Sequence, residues 1–321
     1  MSQKKISELT ELIAAASAND DFIINNGGVT KKIKASLLAD SIVELFAENG
    51  GAGLHNSLFR GKNLTNIYSV DEICSRISSG TFEDLWIGDY FDITISSEYR
   101  SNEVVRCVLA GFDTYLHNGY PTSLESHHAV IVPKNCFADL HQMNTTNTTG
   151  KSENAENTSG LKAYAGSDMH NIVLPKYTAA ISNAIGSSHL LTRCTLLSKE
   201  MNETTVSNAG GGFVGASTGW DWYETKLQLL SEVQVYGANV LSSSYYDTGE
   251  SNLQLPLFKL DSTVKVCKAG GNDTVNASNR IWWWLKNVAD SMGFCGVDSH
   301  GNSYYGWASA SRGVRPLFCI G

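Results

Sequence analysis

At 321 residues, with 42% hydrophobic and 10% aromatic residues, the chain is long and apolar enough to bury two or three modules, which excludes a disordered polypeptide. A formal net charge of -8 with no basic stripe argues against a nucleic-acid or anionic-membrane surface. The seven cysteines, Cys74, Cys107, Cys136, Cys194, Cys267, Cys295 and Cys319, are dispersed without a Cys-x-x-Cys pair. That pattern excludes a zinc ribbon or a disulfide-dense scaffold and predicts buried thiols from a reducing cytoplasm.

The first residues, MSQKKISELTELIAAASANDDF, start basic but reach no sustained apolar core, so no signal peptide is predicted, and no later run is long enough to span a bilayer. Phe22–Ile24 and Val29–Ile33 read as extended segments about a turn at Asn25, Asn26, Gly27 and Gly28. A helical pattern starts at Ala35, with Ser36 as N-cap candidate and Leu37, Leu38, Ile42, Leu45 and Phe46 on one face. So small a segment buries little surface alone and is expected to need partner chains. Glu48–Gly53, ENGGAG, is a Gly-rich hinge and fails as a phosphate loop because no lysine and Ser/Thr pair follows. The expected organisation is residues 1–48, a hinge at 49–55 and one body from 56 to 321.

In the body, Val70–Ser78 is predicted helical, with Ser69 and Glu72 forming a capping box. Alternation through Leu85, Ile87, Tyr90 and Ile93 predicts strands, as do Val104–Leu116 and His127–Lys134. The polar loop Asn144–Ser159 carries several Asn-x-Thr sequons and cannot fold alone. Tyr177–Ala184 reads as helix, His189–Leu197 as strand, and Leu227–Gly237 as strand by its period-two alternation. The expected class is α+β, rich in β, with long irregular loops.

The stretch Ile281–Gly321 closes the chain. Trp282, Trp283 and Trp284 cannot all face one side of a strand, so a core and a second packed layer are expected there. Asp298, Ser299, His300, Gly301 and Asn302 form a polar turn between strands. With Asn287, Asp290, Tyr304, Tyr305 and Trp307 nearby, the stretch mixes rigid aromatic area with small polar groups, as recognition surfaces do.

KKISEL, DDFIINNGG and VTKKIKASLL together resemble the short virion-attachment segment of bacteriophage tail and fibre proteins. The resemblance implies attachment through Ile6, Leu9, Phe22, Ile24, Val29 and Ile33. After Leu54, the succession LFRGKNL, SGTFEDLWIGDYFDI, HHAVIVPK, MNTTNTTG, YAGSDMHNIVLP, SSHLLTRCTLLS, LLSEVQVYG, LPLFK, WWWLKNVAD and RGVRPLFCIG is similar to a domain family of phage tail, fibre and minor structural proteins, common in phages of gut Firmicutes. Its final portion also resembles C-type-lectin-like, formylglycine-generating-enzyme-like folds.

These resemblances imply a noncatalytic virion protein, a homotrimer that docks on other tail or capsid proteins and is exposed on the phage particle after assembly in the host cytoplasm. They imply host adhesion through a surface glycan or protein, with Tyr304, Tyr305 or Trp307 stacking on an apolar ligand face. Asn287, Asp290, Ser299, His300 and Asn302 would bond its polar edge. The alternative is a head-fibre or capsid-decoration protein with no receptor, and the polar positions of the final stretch also suit diversification by a retroelement. No cofactor, metal, nucleic acid or membrane insertion is expected.

Enzymatic readings carry less. His127 and His128 point to opposite sides of a strand and cannot easily share a metal. Asp221, Glu224 and Glu232 could supply a glycosidase pair, but their separation is not fixed by sequence. Cys295 and Cys319 lack the close spacing of a sulfatase-activating enzyme, and the Asp247–Glu250 loop and Asp298 lack the ligand density of a calcium loop.

Overall fold

In the computed structural model the chain falls into two units, Met1–Gly50 and Gly51–Gly321. The structure describes residues 19, 21–26, 29–150, 162–201, 217–242, 253–270 and 279–321. In the first unit, alternating residues form an antiparallel pair of β1 (Asp21–Asn26) and β2 (Val29–Lys34), in register from Asp21 opposite Lys34 to Asn26 opposite Val29. Asp21 binds Lys32 and, at 2.9 Å, Lys34. Helix α1 (Ala35–His55) follows at once and leaves helical geometry at Gly51, whose φ of 52° is open to glycine at little cost. The hinge predicted from ENGGAG is therefore helical on both sides of one break. Ile6 and Leu9 lie outside the described residues, as do the side chains of Ile24 and Val29. Phe22 is partly exposed and Ile33 half-buried, while Ile23, Leu37 and Ile42 face solvent.

The second unit is built on one antiparallel sheet. Strands β3 (Tyr90–Ile95), β4 (Glu103–Phe112) and β5 (Ala129–Pro133) lie in sequence order, and the last strand of the sequence pairs with β5. That strand and β5 are buried along their whole length, so their runs are continuously apolar rather than alternating. Helix α2 (Val70–Ser78) starts at the predicted capping box, with Ser69 and Glu72 satisfying each other's backbone N–H groups. Helix α3 (Leu174–Ile185) continues from a π-helical turn, Met169–Val173. It packs on β3 and on two short strands, β6 (Leu190–Leu191) and β9 (Leu227–Leu229). Between those two run the paired strands β7 (Arg193–Met201) and β8 (Ser217–Thr225).

The alternation through Leu227–Gly237 predicts one strand, but the strand stops at Leu229. Ser231 caps a short helix, α4 (Glu232–Tyr236), its side chain and that of Gln234 forming a second capping box, and Gly237 ends the helix at φ 82°. Helix α5 (Pro256–Leu260) and a 3-10 turn, Ser262–Lys265, lead to β10 (Cys267–Lys268), which pairs with β11 (Arg280–Ile281). A three-stranded antiparallel meander follows: β12 (Trp283–Val288), β13 (Gly293–Val297) and β14 (Ser303–Trp307). Strand β15 (Pro316–Ile320) then runs between β5 on one edge and β6 and β9, end to end, on the other. The class is α+β and rich in β.

The cysteines depart from expectation at one point. Cys136 and Cys267 are joined, with Cα atoms 6.2 Å apart, while the other five are buried free thiols. Spacing gave no hint of the pair, because the two residues meet only through the tertiary fold. Among the described residues no helix is long and apolar enough to cross a membrane.

Candidate binding site

The triple tryptophan divides into two buried rings and one at the surface, so both faces of β12 are covered at Trp283 and Trp284. Trp283 and Trp284 are fully buried, and their indole N–H groups donate to the backbone oxygens of Lys265 (3.0 Å) and His141 (2.9 Å). Trp282 is half-buried and meets Tyr304 edge-on, with ring centroids 4.6 Å apart. The Arg312 guanidinium lies 4.3 Å from the Trp282 ring centre and 5.2 Å from that of Trp284, a cation held between two π faces. Two glycines make the room. A Cβ at Gly306 would sit 2.5 Å from Arg312 Nε, and one at Gly296, which faces Trp284 and Tyr304 across the sheet, would sit 2.8 Å from the Trp283 oxygen.

The result is an open groove of about 510 Å³ lined by Leu140, Arg280, Ile281, Trp282 and Ala310 to Arg312. Arg312 Nε is buried there without a hydrogen-bond partner. Burial lowers the Arg312 pKa, opposed by Tyr304, which matches a cation desolvated against aromatic walls. Aromatic faces beside an under-used guanidinium suit a polyhydroxylated ring, which offers an apolar C–H face to stack and oxygens to accept.

The residues predicted for this site separate into three groups. Tyr304, 45% exposed, stands beside the groove against Trp282 without lining it; Tyr305, half-buried, lays its ring parallel to that of Tyr304 at 5.5 Å. Trp307 is 59% exposed, but alternation along β14 turns it to the face opposite Tyr304, so the two do not form one platform. The turn holding Ser299, His300 and Asn302 is fixed by Asp298, whose Oδ1 accepts from the backbone N–H of His300 (2.7 Å) and of Asn302 (2.9 Å). Partial burial raises the Asp298 pKa, and hydrogen bonds from Asn302 and His300 overcome that and hold it below the usual carboxylate range. His300 lines a second cleft of about 810 Å³.

Asn287 and Asp290 are buried and belong to the scaffold, a correction to the expected polar edge. Asn287 Oδ1 accepts from the Glu232 N–H at 2.8 Å and its Nδ2 donates to Ser242, while Asp290 closes the β12–β13 turn through Met292 N–H at 2.8 Å. Sequence reasoning missed Arg312, Leu140 and Arg280. The signal that could have found Arg312 is the run SRGVRP, a pair of cations flanking a glycine beside a strand in an acidic chain.

The enzymatic candidates do not converge. The carboxylate of Glu232 is buried and takes hydrogen bonds from the N–H groups of Val240, Leu241 and Ser242 and from the hydroxyls of Ser242 and Ser303. Asp221 pairs with Lys199 at 3.0 Å, and Glu224 lines a separate cavity with His170. His128 is buried with Nε2 accepting from Tyr115 N–H, and His127 bonds Asp113 at 2.7 Å. Cys295 and Cys319 are both buried, and burial raises each thiol, Cys319 to about 11. Among the described residues no three His, Cys, Asp or Glu side chains group to hold a metal; the Asp247–Glu250 loop lies outside them. No protein-family model, curated protein or solved structure matches the chain.

Proposed function

We propose that the chain is a noncatalytic bacteriophage receptor-binding protein whose second unit is a C-type-lectin-like domain that binds a host-surface glycan. The observation that carries this reading is the groove lined by Trp282 and Arg312, open to solvent, with Tyr304 beside it against the Trp282 ring, and held by a meander whose backbone leaves no slack at Gly296. A sugar ring stacks on Trp282, with Tyr304 at its side, and its hydroxyls accept from Arg312. The first unit attaches to the particle and joins copies into a homotrimer, with exposed Ile23, Leu37 and Ile42 supplying apolar contact area. Three weak sites then act together through avidity.

The experiment is binding of the labelled full-length oligomer to candidate host cells before and after removal of surface glycans, with Tyr304→Ala and Trp307→Ala alongside. Saturable binding lost with the glycans and with Tyr304→Ala, but kept by Trp307→Ala, is expected. Binding by wild type that ignores glycan removal overturns the reading. A head-fibre or decoration role is favoured by one observation, the exposure of Trp307 on edge strand β14, which suits packing between copies. Loss of assembly in Trp307→Ala, with no cell binding by wild type, would select that role.

A further inference from the structure

The larger cleft, about 810 Å³, adjoins the aromatic groove, since Arg280 lines both. Its chemistry is unlike the rest of this acidic chain. Arg315, Lys134, Lys268 and Arg280 line it, against one acid, Asp261, whose Oδ1 is taken up by the N–H and hydroxyl of Thr263. A fifth cation, Arg60, is neutralised by ion pairs to Asp84 and Asp89.

The central feature is Arg315, which is 1% exposed. Its Nε donates to the Pro133 oxygen at 2.7 Å and its Nη1 to the Val264 oxygen at 2.6 Å, and its guanidinium lies 5.2 Å from the Trp283 ring centre. Among the described residues no carboxylate pairs with it, and no hydrogen bond engages Nη2. Two neutral carbonyls orient the fork but leave its charge uncompensated. A buried, unpaired guanidinium is costly to the fold, and a fold that keeps one beside a cavity has kept a preorganised anion receptor. Burial lowers the Arg315 pKa to about 9, still charged at neutral pH.

We infer that this cleft binds the oxyanion of an acidic glycan, a sugar carrying a carboxylate or a phosphate, with Arg315 at its floor and Lys268 and Arg280 at its mouth. Arg315 Nη2 donates to one anionic oxygen, Lys268 and Arg280 supply charge and further donors, and the Tyr90 and Phe59 rings wall the sugar. The sugar part of the ligand rests on the receptor-binding reading; the anion site stands on the cleft alone. Sequence charge argues against anionic partners for the protein as a whole, and the cleft is the local exception.

The test is calorimetric titration of the full-length protein, at constant ionic strength, with three probes: digalacturonate, its neutral counterpart galactobiose, and inorganic phosphate. Digalacturonate is expected to bind, galactobiose at least about tenfold more weakly, and phosphate to compete. Phosphate binding without digalacturonate binding would instead make a phosphate-bearing sugar, not a uronate, the source of the anion. Arg280→Ala and Lys268→Ala, which leave Arg315 in place, should each weaken digalacturonate about tenfold without lowering the melting temperature. Arg315→Lys, which keeps charge but loses the fork, should bind worse than either, with circular dichroism checking its fold. Equal affinity for digalacturonate and galactobiose, no binding of digalacturonate or phosphate at millimolar concentration, or affinity unchanged in Arg280→Ala and Lys268→Ala overturns the site. Failure of cell binding with these differences intact would refute only the receptor-binding reading.

Discussion

The hydroxyl of Ser303 donates to the buried carboxylate of Glu232 at 2.8 Å, tying the first residue of β14 to the first turn of α4. The same carboxylate gathers the N–H groups of Val240, Leu241 and Ser242, so it fixes a loop and the strand that presents Tyr304. Glu232→Ala strands these donors and should cost about 3 kcal/mol in urea unfolding, while Ser303→Ala should cost about 1 kcal/mol. Glycan binding by the folded Glu232→Ala protein should fall as well, because β14 loses its anchor.

Trp284 and Trp307 should behave oppositely although both are large aromatics of one meander. Trp284→Ala opens a cavity in the core and should destabilise the protein by about 3–5 kcal/mol. Trp307→Ala removes a largely exposed ring and should change stability by less than about 1 kcal/mol. Equal losses in thermal denaturation would contradict the burial pattern.

Glu103 gives a pH dependence. Burial raises its carboxyl to about 7, helped by the charge of Asp139 and opposed by a hydrogen bond from Ala138 N–H, and its Oε2 is buried without a partner. The unfolded chain releases this proton near the ordinary value of 4.5, so its contribution falls as pH rises from there through about 7. Glu103→Gln should therefore match wild type near pH 4 and be more stable at pH 8 by about 2 kcal/mol. Denaturant titrations at the two pH values decide it.

Asp84 has the opposite sign. Burial alone would raise its carboxyl, but hydrogen bonds from Lys62, Arg60 and Tyr68 hold it at about 2. Its stabilisation is present above the ordinary value of 3.8 and is lost as pH falls through about 2. Asp84→Asn, a residue that tolerates the φ of 52° found there, should cost about 2 kcal/mol at pH 7 and little near pH 2.

Local signals were legible and long-range ones were not. Ser69 and Glu72 announce α2 because a capping box is written within four residues, and the alternation of Tyr90 to Ile95 announces β3. The same box at Ser231 and Gln234 is just as local, but the flanking Leu227–Val235 alternation masks it. The candidate site was half-readable: aromatic and turn residues stood out by composition, yet the burial of Asn287 and Asp290 depends on Glu232 and Met292, and no pattern pairs those in advance. Arg312 and Arg315 read as ordinary surface cations until the sheet wraps Trp282, Trp283 and Trp284 around them.

Strand β15 carries a consequence for how the protein is made. Its ladder joins Val130 to Cys319, roughly 190 residues apart, so β5 emerges from the ribosome long before its neighbour exists. Until then a fully apolar strand presents a bare hydrogen-bonding edge, the feature that recruits foreign strands into aggregates. Yield of soluble protein should therefore depend on translation speed and chaperone supply more than on the stability of the finished fold, and a lesion in β15 should appear as inclusion bodies before it appears as lost binding.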